Sequence, residues 1–195
     1  MLRTILLTAL SCILALGLGG GSAWFALDRA DALGALNIGK WVAYPEAGTD
    51  RADPYTRARI ARNAALPLAP AEGLVFSRRS DESDRPLRAG CQYILEGRLP
   101  SARFWTLHAA PLSSDASIAD EDRRVALHSR ALLRQPDGSI RIAIGPTIRP
   151  GNWLPVAGNG PFRLILSLYD TPLGSGTSIS PLGMPTVTPE ESCNA

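Results

Sequence analysis

Three kinds of hydrophobic patterning divide this chain. The first is an unbroken apolar run from Thr4 to Leu27, "TILLTALSCILALGLGGGSAWFAL", which carries no charge over 24 residues. As a helix it would extend about 36 Å, against roughly 30 Å of bilayer hydrocarbon. Two readings stay open. In one, residues 1–27 are an uncleaved transmembrane anchor with Trp24 and Phe25 at the outer interface. In the other they are a secretory signal, with Met1-Leu2-Arg3 as the charged head, Ile5 to Leu18 as the apolar centre, and Gly21-Ser22-Ala23 as a cleavage site. The length and the continuation through Trp24-Phe25 favour the anchor. In both, the positive head precedes the apolar run, so the rest of the chain is expected to cross the membrane. Gly17 and Gly21 form a G-x-x-x-G spacing, weak evidence for helix pairing in so glycine-rich a segment.

The second kind is a helical period. Residues 28–50 read as a juxtamembrane lead-in, with Ile38, Trp41 and Val42 docking as a first strand. "PEAGTDRA" is a turn-rich break. Asp53 then suits an N-cap and Pro54 the first helical position, where its missing N–H costs nothing. The short amphipathic helix that follows has Tyr55, Ala58, Ile60, Ala61 and Ala65 as its apolar side and Arg57, Arg59 and Arg62 on the remainder. Leu66-Pro67 is its expected end. The arginines read as a solvated face or as a contact for anionic lipid or another polyanion.

The third kind is alternation with period two. "GLVFSRR" (73–79) starts it. "CQYILEG" (91–97) sets Cys91, Tyr93 and Leu95 against Gln92, Ile94 and Glu96. "RFWTLHAA" (103–110) sets Trp105, Leu107 and Ala109 against Phe104, Thr106 and His108. "ALHSRALLRQPDGSIRIAIG" reads as a hairpin around Pro136-Asp137-Gly138. "PFRLILSLYD" sets Phe162, Leu164, Leu166 and Leu168 against Arg163 and Ser167. Residues 111–127 fit either helix or strand. The expected fold is mainly β: an antiparallel β-sandwich over residues 51–195, preceded by one transmembrane helix and one short amphipathic helix.

Composition narrows the function. A length of 195 residues allows one domain plus an appendage. The apolar fraction of 45% and charged fraction of 19% fit a globular protein, and 18 Gly with 16 Pro fit one rich in turns. A net charge of +2 without a basic stripe gives no case for nucleic acid as a partner. Cys12 lies in the apolar run. Cys91 and Cys193 would be exported together, and in an oxidising compartment an even pair is a disulfide candidate. The loop so closed has about 100 residues, worth about 4 kcal/mol in the chain-entropy view.

Chemistry-bearing motifs are sparse. A G-x-S-x-G elbow and a phosphate loop are both missing. His108 and His128 are the two histidines, without metal-ligand spacing, so neither a metal nor a cofactor is expected. Glu96, Asp137 and Asp170 fall at expected strand ends, where a cleft could gather acids for glycosidic work. The aromatic residues Trp41, Tyr93, Trp105, Trp153 and Tyr169 fall on or beside strands. They read as core wedges or as the lining of a groove for a sugar or lipid chain. The candidate binding set is Trp105, His108, Trp153, Tyr169 and Asp170. In "GNWLP", Asn152 can hold the turn backbone, Trp153 can bury its ring at a corner, and Pro155 stops the strand.

Taken together, "DPYTRARIARNAALPL", "EGLVF", "CQYILEG", "RFWTLHA", "DGSIRIAIG" and "GNWLPVAGNGPFRLILSLYDTP" resemble a bacterial domain family of unknown function, number twelve-fourteen. The resemblance runs over roughly residues 38–195. Members occur as the C-terminal half of larger two-domain proteins and as short membrane-anchored forms, and this chain is similar to the short form. The resemblance implies a jelly-roll-like sandwich and an envelope location. It implies no activity and supplies no catalytic residues. Two functions follow as expectations. One is a periplasmic domain, held to the inner membrane by residues 4–27, that binds an envelope component or a partner protein. The other is an envelope hydrolase or carbohydrate-active enzyme with a cleft at one end of the sandwich.

Overall fold

The structure, a computed structural model, describes residues 1–29, 34–119, 126–175 and 183–190. The apolar run forms α1 (Leu2–Arg29). Its segment Leu2–Phe25 has a mean hydropathy of 1.9 and none of it is buried against the rest of the chain. A helix of this length and composition is consistent with a membrane anchor or a signal sequence.

The alternating segments form two sheets. The larger contains β1 (Leu36–Ile38), β2 (Trp41–Ala43), β3 (Gly73–Arg78), β5 (Phe104–Pro111), β6 (Leu127–His128) and β9 (Phe162–Tyr169). Their order is β1-β2-β3-β9-β5-β6, antiparallel throughout. The smaller contains β4 (Tyr93–Gly97), β7 (Ile140–Gly145), β8 (Asn152–Pro155) and β10 (Thr186–Pro189), in the order β10-β4-β7-β8. The sheets are stacked as a sandwich, with no closed barrel. Period-two spacing puts every second side chain inward. Trp41, Phe76, Trp105, Leu107, Leu166 and Leu168 from the larger sheet meet Tyr93, Leu95, Ile142, Ile144, Leu154 and Val187 from the smaller in one core. Tyr93 packs edge-on to Phe162 at 6.1 Å between ring centroids. Its hydroxyl accepts from the Arg88 N–H at 2.9 Å, and burial pushes its pKa up.

Several local expectations change in the folded chain. Residues 36–43 form a hairpin integral to the larger sheet, with Trp41 and Ala43 fully buried, so the sandwich has strands ahead of residue 51. The Pro136-Asp137-Gly138 turn forms, with Gly138 at φ 80° and Ser139 donating to Asp137, but it does not join a hairpin. β6 belongs to the larger sheet and β7 to the smaller, and an isolated Arg134–Ile140 bridge is what closes the turn. The segment before the turn instead docks on Asn152, whose side chain accepts from the Leu133 N–H at 2.8 Å and donates to the Leu133 carbonyl at 2.7 Å. The sheets are not purely antiparallel, because β8 runs parallel to β7. Residues 146–151 carry the chain back beside β7, and Gly151 turns it at φ 84°.

The short helix is α2 (Pro54–Asn63). Asp53 caps it, accepting from the Tyr55 and Thr56 N–H groups at 2.9 and 3.1 Å. These bonds, with the Thr56 side chain foremost, hold the Asp53 carboxyl below its ordinary pKa. Ala64, in the left-handed region at φ 49°, ends the helix ahead of Leu66-Pro67. The expected apolar side is not the buried one. Tyr55, Ala58 and Ala61 are exposed, while Thr56 is buried and Arg59, Ile60 and Asn63 are half-buried.

Candidate functional site

Strand β9 positions the site. Its inward residues Phe162, Leu164, Leu166 and Leu168 fill the core, but Arg163, Ile165 and Ser167 on the other face are buried too. Something must therefore cover the outside of the larger sheet. Over Arg163 and Ile165 that cover is made by α2, the segment around Tyr44–Ala47, the stretch Leu66–Leu68 and, on Arg163 itself, Ser114 and Asp115. Gly48 lets two of these segments close up: a Cβ there would lie 2.5 Å from the Leu68 carbonyl oxygen.

Between sheet and cover lies a groove of about 540 Å³, within the range of small-molecule sites, roughly 300–1,000 Å³. Strands β2, β3 and β9 contribute Val42, Val75 and Ile165 to it, and the cover contributes Ile60, Leu66 and Leu68. Polar side chains interrupt this apolar lining. Arg59 of α2 lies 4.7 Å over the Tyr44 ring, and donates to the Tyr44 hydroxyl at 3.2 Å and to Thr56 Oγ1 at 3.1 Å. Arg163, only 5% exposed, donates to the Ser114 carbonyl at 3.0 Å and ion-pairs with Asp115. Lys40, in the β1–β2 turn, ion-pairs with Asp84. Arg79 completes the cations lining the groove.

The sequence-derived candidates do not converge on one place. Trp105 points inward and is a core residue, 3% exposed. His108 lies on the outer face opposite Ile165 and is not among the residues lining the groove. Its Nε2 is 3.1 Å from the Asp115 carbonyl oxygen, which can only accept, so this nitrogen carries the proton. Tyr169 sits at the far end of the same face, with its ring 5.9 Å from Phe104. Phe104 in turn lies 5.8 Å from the His128 ring. Asp170 follows at φ 51° and faces Arg103 across 3.7 Å in the open. Trp153 is on the other sheet. It is half-buried rather than a corner wedge, and its indole N–H donates to the Gly145 carbonyl at 3.1 Å. The fully buried residue of that corner is Leu154.

The acids stay apart as well. Glu96 pairs with Arg141 at 2.7 Å on the smaller sheet. Asp137 accepts from Ser139, which lowers its pKa, and lies 3.9 Å from Arg98. Among the described residues no group of three or more His, Cys, Asp or Glu is placed to hold a metal ion. Cys12 is the free, exposed thiol among the described residues, whereas Cys91 is half-buried against the core and has a partner. Cys193 lies outside the described residues.

Apart from Arg59, which the sequence offered as a possible anion contact, the groove residues were missed at the sequence level, although one signal existed. Ile165 and Val75 are apolar at positions where a half-exposed strand would be polar. The fold and groove define a class, a two-sheet sandwich with an amphipathic groove on the outside of its larger sheet. The chain belongs to the family described as a protein of unknown function, DUF1214, which matches residues 72–173. That match takes in β3 and β9 and leaves out α2. No curated protein matches the chain. Among solved structures it is similar to the VPA0106 protein of Vibrio parahaemolyticus, with a TM-score of 0.56 and 18% identity over 70% of this chain and 35% of that one. It is also similar to an uncharacterised protein from Burkholderia cenocepacia, with a TM-score of 0.46 and 17% identity over 93% of this chain and 53% of that one. The chain thus spans about a third and about half of the lengths of these two proteins.

Proposed function

We propose that this protein is a membrane-tethered, periplasmic β-sandwich that holds an envelope component in the groove under α2. The observation that carries this reading is the groove itself, an apolar bed about 540 Å³ in volume on the buried outer face of a central strand, edged by cations. A sheet face covered only to hide its side chains would be packed shut. Here the cover stands off and leaves room for a ligand. The hydrolase reading has no observation of similar weight. Among the described residues the one acid lining the groove is Asp115, and Arg163 already engages it.

The test is native mass spectrometry of the full chain extracted from its own membranes in neutral detergent. Wild type should carry a bound small molecule. Val75→Trp, which fills the groove from β3, should lose it while keeping the wild-type circular dichroism and melting temperature. An empty wild-type protein, or equal occupancy in the two, would overturn the proposal.

A further inference from the structure

We propose that the outward side of α2, together with Leu66, is a membrane-seating surface, which rests on the bilayer beside the point where α1 leaves it. The seat depends on α1 lying in a membrane, as in the reading above, and not on the groove being filled.

The first observation is that α2 is turned inside out. An amphipathic helix on a soluble domain puts its apolar stripe inward and its polar residues in water. Here Thr56, Arg59 and Asn63 face the groove together with Ile60. The side turned outward carries Pro54, Ala58 and Ala61, at the i, i+4, i+7 spacing of one helical face, and all three are exposed. Tyr55 borders that face at 41% exposure, and Leu66, just past the helix, is 90% exposed. The helix contains no acidic residue. Charge is not what makes the seat: Arg57 donates to the Ala52 and Asp50 carbonyls, and Arg59 to the Tyr44 hydroxyl. The surface is apolar and calls for no particular headgroup.

The second observation is which element the anchor touches. Trp24 lies near the end of the apolar segment Leu2–Phe25, where an interfacial tryptophan marks the edge of the hydrocarbon. The Arg62 guanidinium of α2 lies 5.7 Å from the Trp24 ring centroid. That contact turns α2, rather than another side of the sandwich, toward the lipid.

The third is the length of the tether. Six residues separate the end of α1 at Arg29 from the start of β1 at Leu36. Fully extended they reach about 20 Å, and the last turn of α1 beyond Phe25 adds about 6 Å. A folded domain of this size, with a radius of gyration of roughly 15 Å, is then held against the surface. A face too small to capture lipid from solution suffices in that setting, because the anchor has already made the contact intramolecular.

The experiment places single copies of the full chain in phosphatidylcholine nanodiscs that contain a phosphatidylcholine with a diazirine in one acyl chain. Photolabelling, mapped residue by residue, should mark Leu66 and the outward side of α2 as well as α1. Hydroxyl-radical footprinting of the same discs should oxidise Leu66 several-fold more slowly than Leu133, a leucine 70% exposed elsewhere on the domain. Leu66→Glu alters an exposed position and should keep the wild-type melting temperature. It should lose the label on α2 and raise Tyr55 oxidation several-fold, because a carboxylate resists burial in hydrocarbon. Val75→Trp, which fills the groove, should leave the Leu66 label in place. Label confined to α1 would overturn the seat and leave the anchor standing, whereas absence of label from α1 would remove the anchor and the seat together. A Leu66 label lost in Val75→Trp would mean that lipid reaches this residue through the groove, and would overturn the seat. Slow oxidation of Leu66 without lipid label would show that protein covers it, and would overturn the seat as well.

Discussion

Arg78 shows how much one side chain can tie together. It is 1% exposed, at the end of a strand whose neighbours are apolar. Its guanidinium donates to the Ser80 carbonyl at 2.7 Å, the Pro185 carbonyl at 3.2 Å and Glu82 at 2.8 Å. The Trp41 indole N–H donates to the same Pro185 carbonyl at 2.8 Å. The segment leading into β10 is thus pinned to the larger sheet, although β10 itself pairs in the smaller one. A buried charge is tolerable only with partners such as these. Arg78→Ala should cost about 3 kcal/mol and lower the melting temperature by roughly 6–12 °C. Arg78→Lys should recover little, because an ammonium lacks the planar fork that reaches three acceptors. Thermal melts of the three proteins check both statements. In the sequence this residue is one of two adjacent arginines. Nothing local says that Arg78 turns in while Arg79 lines the groove, because strand alternation assigns the faces and the register then decides which is which.

At the scale of elements, the loop 79–86 is built around one carboxylate. Asp81 is 2% exposed and accepts from the Ser83 and Arg85 N–H groups at 2.8 and 3.0 Å and from Arg85 Nε at 3.0 Å. Burial alone would raise its pKa, but the Arg85 and Ser83 backbone donors and the Arg85 guanidinium together bring it below the ordinary value. A carboxyl with a lowered folded-state pKa adds stability above its unfolded pKa, about 4, and loses it as pH falls through the folded value. Melting temperature should therefore drop as pH falls below about 4. Asp81→Asn should be less stable at pH 7 and should flatten that acid limb. A wild-type acid limb surviving unchanged in the variant would show that other carboxylates carry it. The start of α2 was legible because a cap is made by neighbours in sequence, Asp53 with Tyr55 and Thr56. Its buried face was not, because the sheet it covers presents polar as well as apolar partners. Arg59 is drawn inward by Tyr44, and alanines are left outside.

On the scale of the molecule, β4 and β10 bring distant parts of the chain side by side. Pro189 pairs with Tyr93, and the Glu190 N–H continues the ladder to the Gln92 carbonyl at 2.9 Å. In the sequence Cys193 follows Glu190 by three residues, and Cys91 precedes the start of β4 by two. We expect these two to be bridged after export. The bridge would close a loop of about 100 residues and contribute about 4 kcal/mol. Peptide mapping without reductant should find 91 linked to 193, and Cys193→Ala should lower the melting temperature. Alkylation of both thiols in natively purified protein would refute the pairing.

The sequence by itself determined what near neighbours can settle. These are the apolar length of α1, the Asp53-Pro54 helix start, the Asp137-Gly138 turn, and the alternation that sends Trp105, Leu107, Leu164 and Leu166 inward. Each depends on backbone geometry or on contacts a few residues apart. The tertiary structure decided which outer faces stay wet. Ile165 came to line a groove closed by α2 and the segments beside Gly48, and Arg163, in the same lining, is held by Ser114 and Asp115. That contact joins residues about a hundred positions apart in the chain, and no local period records it. The same packing separated Trp105, Trp153 and Tyr169, which sequence reasoning had grouped by type, and gathered cations from four separate stretches around one groove.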